Sequence, residues 1–119
     1  MVETKTYTGG CHCGKVRFEV QTDLTRVIAC NCSICSKAGW LLAFAPADQL
    51  TLLSGREALS DYQFGRKRIH HLFCAGCGIR SFSRGTAPDG RETCAVNVRC
   101  LDGVEVDALT ITPFDGKSL

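Results

Sequence analysis

Seven of the nine cysteines in this 119-residue chain fall into three short clusters. Gly10-Cys11-His12-Cys13-Gly14 comes first, Cys30-Asn31-Cys32-Ser33-Ile34-Cys35 second, and Cys74-Ala75-Gly76-Cys77-Gly78 third. Thiolates two or three positions apart on a glycine-relieved turn can converge on one ion at about 2.3 Å. Glycine supplies the positive φ that such turns need. A structural zinc takes four ligands and a catalytic zinc three plus an exchangeable position, and seven divides naturally as four and three. Cys11, Cys13, Cys74 and Cys77 then form a four-thiolate set that joins distant parts of the chain. Cys30, Cys32 and Cys35 form a three-thiolate set from a single loop. Spacing alone also permits other pairings, including a second structural zinc closed by Cys94, Cys100 or a histidine. Redox use of the pairs would call for a βαβ setting, which the pattern lacks.

Three thiolates outweigh the two positive charges of zinc, so the second set makes a weak Lewis acid and a poor generator of hydroxide. It can still accept a soft fourth ligand. A thiol entering that position loses its proton, and the thiolate is the nucleophile. The chemistry therefore points to thiol substrates more than to water, and local positive charge would favour a thiol that carries carboxylates. Arg66-Lys67-Arg68 with His70 and His71 is the candidate charge. As neighbours on a strand the two histidines face opposite sides. A solvated strand face is the plainer reading of this run, and a positive rim for an acidic substrate the sharper one. His12, between two ligands, is expected to point away from the metal. Cys94, in an apolar stretch, reads as a small buried hydrophobe, and Cys100 as buried or near the site.

The elements that position these residues are mostly strands. Val16, Phe18 and Val20 alternate with charged neighbours, as in a half-buried strand. Val27 to Ala29, Trp40 to Ala45, Leu50 to Leu53, Tyr62 to Phe64, Ile69 to Phe73 and Cys94 to Val98 read as further strands, with Asp89-Gly90 as a hairpin-type turn. Helix is scarce: single turns are expected at Ser33 to Ala38 and Pro46 to Gln49. The predicted fold is mainly β, one domain over residues 1–119, with metal clusters replacing part of the core.

Composition narrows the function classes. Apolar residues make up 45% of the chain, which fits a globular protein. The net charge of +2 is too small to argue for nucleic acid. No apolar run reaches the ~18 residues of a membrane helix, and the N-terminus lacks the features of a signal peptide. A cytoplasmic location is expected, where cysteines at this density bind metal rather than pair as disulfides. Oligomeric state leaves no mark in the sequence.

Gly9 to Phe18, Cys30 to Cys35, Phe73 to Gly78 and Asn97-Val98-Arg99-Cys100-Leu101-Asp102 together resemble the glutathione-dependent formaldehyde-activating (GFA) family, over essentially the whole chain. The resemblance implies two packed antiparallel sheets, similar to the β-rich zinc fold of methionine-R-sulfoxide reductases. It implies two zinc ions: a structural one on Cys11, Cys13, Cys74 and Cys77, and a catalytic one on Cys30, Cys32 and Cys35. It further implies a carbon–sulfur lyase that joins glutathione to formaldehyde to give S-(hydroxymethyl)glutathione, so the expected partners are a small-molecule thiol and an aldehyde. Two other classes stand beside this one. One is a non-catalytic zinc module binding a protein or nucleic acid. The other is a sulfoxide reductase, which would need Cys94 or Cys100 as a redox-active thiol outside the ligand sets.

Overall fold

The computed structural model describes residues 4–118. In chain order its elements are β1 (Lys5–Gly10), β2 (Arg17–Thr22), β3 (Val27–Cys30), α1 (Cys35–Ala38), β4 (Leu42–Pro46), β5 (Leu50–Ser54), β6 (Leu59–Tyr62), β7 (Ile69–Cys74), β8 (Phe82–Thr86), β9 (Glu92–Asn97) and β10 (Ile111–Phe114). Short 3-10 turns separate several strands, among them Ala47–Gln49 and Val98–Cys100. Two sheets result: a small one ordered β1-β2-β5, and a seven-stranded one ordered β10-β3-β4-β9-β8-β7-β6. This is the mainly β, two-sheet fold expected, with one departure. All pairings are antiparallel except β10 on β3, which runs parallel, Ile111 opposite Val27 and Phe114 opposite Cys30. That pairing lays the C-terminal segment beside the Cys30–Cys35 loop.

Alternation along the strands decides which faces meet. On β2, Phe18, Val20 and Thr22 are buried while Arg17, Glu19 and Gln21 are not. Phe18 crosses to β8 of the other sheet and meets Phe82 edge-to-face, ring centroids 5.6 Å apart. Val16, Val27, Ala43, Val96 and Val98 pack into the same cluster, together with Cys11 and Cys74. Burying a side chain of this size contributes about 1.5–3 kcal/mol, so the inter-sheet layer is the main apolar contribution. On β9 the two faces serve different clusters: Cys94 and Val96 join the inter-sheet core, whereas Ala95 packs with Cys35, Trp40 and Leu42.

The strand expectations hold for β2, β3, β5, β7 and β9, with shifts elsewhere. β4 begins at Leu42, leaving Trp40 in the approach loop, and its Phe44 faces solvent. β6 ends at Tyr62, so Phe64 lies in the turn toward β7. Helical turns appear where expected, at Cys35–Ala38 and Ala47–Gln49. Strands β1, β8 and β10 were not foreseen. Among the described residues no helix is long and apolar enough to cross a membrane.

Gly55 is the tightest backbone approach between the sheet connections. Its φ is +91°, and an added Cβ would stand 2.2 Å from the Lys15 carbonyl oxygen. Neither the backbone nor that carbonyl can yield without moving the Cys11–Val16 turn. Gly55→Ala is therefore expected to destabilise the protein by about 1–3 kcal/mol, read in urea unfolding as a lower midpoint with an unchanged slope.

Candidate metal centres

All nine cysteines are free thiols, and seven of them gather in two groups. The sulfurs of Cys11, Cys13, Cys74 and Cys77 all lie within 4.8 Å of one another, and so do those of Cys30, Cys32 and Cys35. Cys13 Sγ is 3.6 Å from both Cys11 Sγ and Cys74 Sγ, far beyond a disulfide bond of about 2.05 Å. The four-and-three division drawn from ligand counting is the division in space. Among the described residues no histidine, carboxylate or further cysteine joins the three-sulfur group, so neither Cys94 nor Cys100 closes it.

The four-sulfur group is built from two similar turns. After β1, Cys11 N–H donates to the Val16 carbonyl (3.1 Å), Val16 N–H donates to Cys11 Sγ (3.3 Å), and Gly14 takes φ +83°. After β7, Cys74 N–H donates to the Ile79 carbonyl (3.0 Å), Gly78 N–H to the Cys74 carbonyl (2.7 Å), and Gly78 takes φ +79°. Each turn folds its chain back so that two sulfurs point one way. One turn ends the small sheet's edge strand and the other ends a strand of the large sheet, so the group spans both sheets.

The three-sulfur group comes from one continuous stretch. Cys30 ends β3, and Cys35 opens α1, whose C-terminus is closed by left-handed Gly39 donating to the Cys35 carbonyl (3.0 Å). The C-terminal segment covers this loop. Asn31 N–H donates to the Phe114 carbonyl (3.1 Å), its Nδ2 donates to Asp115 Oδ1 (2.9 Å), and its Oδ1 accepts from Lys117 N–H (2.9 Å). Gly116 lies so close that an added Cβ would come within 2.5 Å of Cys30 Sγ. Asn31 sits between two candidate ligands yet serves as the clamp that orients them, a role spacing alone did not suggest.

The ionisation of the sulfurs follows from their crowding. The Cys13 backbone N–H, helped by that of Ile79, pulls the Cys77 thiol down to about 6. Cys13 moves the other way, to about 11: the Lys15 backbone N–H favours its thiolate, but burial and the sulfurs of Cys11, Cys74 and Cys77 outweigh it. Burial pushes Cys35 up to about 12 against the pull of the nearby Trp40 indole, with the sulfurs of Cys32 and Cys30 adding to the rise. The four-sulfur group thus lowers Cys11 and Cys77 and raises Cys13, and the three-sulfur group lowers Cys32 and raises Cys35. The all-sulfur donor sets suit a soft or borderline divalent ion, whose charge would let every thiol ionise.

The remaining expected residues separate cleanly. His12 is exposed, off the sulfur group. His70 is exposed and its Nδ1 meets Asp61 Oδ2 at 2.6 Å. His71 faces inward and is 5% exposed, ringed by Phe64, Trp40 and Tyr62 at centroid distances of 5.4, 5.9 and 6.4 Å. Cys94 is buried and Cys100 half-buried, and burial raises both thiols. The Asn97–Asp102 stretch is structural: Asn97 accepts from Arg99 N–H (3.2 Å) and donates to the Arg80 carbonyl (3.1 Å), while Asp102 pairs with Arg17. Arg66, Lys67 and Arg68 are exposed in the β6–β7 turn. Lys67 and Arg68 line a hollow of about 740 Å³ with His70 and Arg84, and no cysteine borders it. A second hollow of about 520 Å³ is lined by Ser33, Ile34, Lys37, Ala38, Tyr62, Phe64 and Arg80. It adjoins the three-sulfur loop. Tyr62, Phe64 and Arg80 come from segments remote in sequence, and no spacing pattern signals them.

Metal analysis by plasma mass spectrometry is expected to give two ions per chain, and one in the Cys30→Ser, Cys32→Ser, Cys35→Ser triple variant. Cys74→Ser is expected to abolish cooperative unfolding, because its sulfur group ties the two sheets. Asn31→Ala is expected to weaken metal at the three-sulfur group by about 10–100-fold, measured by chelator competition, with the four-sulfur group unaffected.

Comparison with known proteins agrees with this geometry. A crystal structure of a Rhodobacter sphaeroides protein matches with a TM-score of 0.80 and 35% identity, over 89% of this chain and 97% of that one. Residues 6–112 match the family described as glutathione-dependent formaldehyde-activating enzyme, a span that includes all seven clustered cysteines. The chain belongs to the glutathione-dependent formaldehyde-activating enzyme family.

Proposed function

We propose that the protein is a zinc-dependent carbon–sulfur lyase, similar to S-(hydroxymethyl)glutathione synthase, that adds a thiol such as glutathione to a small aldehyde. The observation that carries this reading is that the loop gathering the Cys30, Cys32 and Cys35 sulfurs also lends Ser33 and Ile34 to the wall of a hollow that holds two cations, Lys37 and Arg80. In this reading Cys11, Cys13, Cys74 and Cys77 hold a structural zinc, and Cys30, Cys32 and Cys35 hold the catalytic one. Family membership supports glutathione and formaldehyde as the reactant types.

Cys30, Cys32 and Cys35 would hold the zinc, which would lower the pKa of a thiol brought to it. The chain's own residues do the rest. Lys37 and Arg80 attract the carboxylates of the thiol and orient its sulfur toward the loop. Ile34, Tyr62 and Phe64 reduce the water around the reacting pair, which strengthens those charge contacts. In the addition the sulfur–hydrogen bond and the carbonyl π bond break, and a carbon–sulfur bond forms. The carbonyl oxygen gains the proton, with no change of oxidation state. His71 stays neutral near pH 7, because burial and the Arg80 charge both lower its pKa. Such chemistry needs reduced thiols, which a cytoplasmic setting supplies.

Exchange broadening in the NMR spectrum of a glutathione–formaldehyde mixture tests the reading. The zinc-loaded protein is expected to accelerate adduct exchange, and Cys32→Ser to remove the acceleration. Identical exchange rates with and without the protein would defeat the proposal.

A further inference from the structure

The hollow beside the three-sulfur loop holds an unsatisfied cation. Arg80 lies with its guanidinium carbon 5.8 Å from the Trp40 ring centroid and 5.3 Å from that of Phe73. Its Nη1 is buried without a hydrogen-bond partner, and among the described residues no carboxylate pairs with it. The backbone there is fixed: the Arg80 carbonyl accepts from Asn97 Nδ2 at 3.1 Å and faces Cys100 Sγ at 3.7 Å. Arg80 is half-buried, and a guanidinium N–H shielded from water without a partner gains from a ligand that supplies an acceptor. Its planar fork is matched to a carboxylate.

The wall opposite the loop is aromatic. Tyr62 and Phe64 stack on each other, centroids 5.8 Å apart and planes 24° apart, yet remain 48% and 41% exposed. Behind them His71 stacks on Phe64 at 5.4 Å and 20°. His71 Nδ1, on a residue more than nine-tenths buried, also lacks a partner. This layer leaves an uncovered ring face next to an unpaired cation. A one-carbon aldehyde would fill little of about 520 Å³, a volume typical of sites for larger organic molecules.

We infer that this hollow binds a carboxylate-bearing compound with an aromatic body, Arg80 anchoring the carboxylate and the Tyr62–Phe64 pair stacking on the ring. The inference rests on the proposed use of this hollow as the substrate side of the three-sulfur centre, and it narrows the substrate class to aromatic carboxylates or their thiol adducts. The basic hollow around Lys67, Arg68 and Arg84 lacks such a wall: none of its lining residues is aromatic apart from His70, which pairs with Asp61.

Trp40 is the only tryptophan, so its emission reports occupancy with neither thiol nor aldehyde present. Zinc-loaded protein would be titrated with phenylacetate, with acetate (charge without ring) and with benzyl alcohol (ring without charge). Phenylacetate is expected to give a saturable change and to bind at least about tenfold more tightly than either fragment. Arg80→Met is expected to reduce phenylacetate to the level of benzyl alcohol, Arg80→Lys to weaken it partly, and Arg84→Met to change nothing. No saturable response to phenylacetate, equal binding of acetate, or an Arg84→Met loss matching that of Arg80→Met would each overturn the inference. Should Arg80→Met lose its metal or its fold, the three-probe comparison on the parent protein, with Arg80→Lys, still decides. Because no adduct forms in these titrations, binding of phenylacetate without adduct exchange would mean the lyase reading had failed and this one had not.

Discussion

Four sulfurs in one group and three in another, each set within 4.8 Å, repel one another when ionised without a cation. Two unit charges 4 Å apart repel by about 1 kcal/mol in water and about 4 kcal/mol at the effective dielectric near a protein surface. In the four-sulfur group backbone N–H groups of Cys13 and Ile79 pull Cys77 down to about 6, while the neighbouring sulfurs help push Cys13 up to about 11 against the pull of the Lys15 backbone N–H. The rest of the structure depends on how the repulsion is relieved. In the four-sulfur group, relief by a cation would fasten the end of β1 to the end of β7, and so one sheet to the other. The Phe18–Phe82 contact that fills the space between the sheets supplies area, whereas the sulfurs supply a fixed point.

The two groups solve the same electrostatic problem with different supports. Around Cys11 and Cys74 the backbone does the work, through paired turns and left-handed Gly14 and Gly78. Around Cys30, Cys32 and Cys35 the support comes from elsewhere in the chain. The Asn31 clamp and the close pass of Gly116 cover one side of the loop, and the hollow lies along Ser33, Ile34, Lys37 and Ala38. A group whose four donors are all held by its own turns suits a structural role. A group covered on one side and bordered by a hollow on another suits exchange with a small molecule.

What was legible in the sequence was the part written locally. Cysteine spacing gave the two groups because each pair or triplet lies within six residues, and period-2 alternation gave β2 because one face of it is buried. Strands β1, β8 and β10 were not legible for physical reasons. Lys5–Gly10 carries one large apolar residue, Tyr7, and survives as an edge strand by pairing with β2. Phe82–Thr86 contains Arg84 and Gly85, and Ile111–Phe114 contains Pro113, which only an edge position tolerates. The hollow was illegible because Lys37, Tyr62, Phe64 and Arg80 come from separate segments that meet only once β6, β7 and α1 are in place. Asn97, conspicuous in the sequence as part of a family-like stretch, acts through backbone contacts to Arg80 and Arg99 rather than at the metal.

Charge placement also bears on the function classes. The Arg66-Lys67-Arg68 side chains are solvated, and no residue of the Cys30–Cys35 loop lines the hollow that Lys67 and Arg68 help to form. Arg80, a single cation with no neighbours of its own sign in sequence, is the one sunk between two rings beside the three-sulfur loop. A binding module for nucleic acid would spread its cations over an exposed face. A sulfoxide reductase would need a free thiol easily ionised, whereas burial raises both Cys94 and Cys100. What this chain concentrates in one place is convergent sulfur, one unpaired guanidinium and an aromatic wall, a combination suited to holding a small anionic thiol compound while its sulfur reacts.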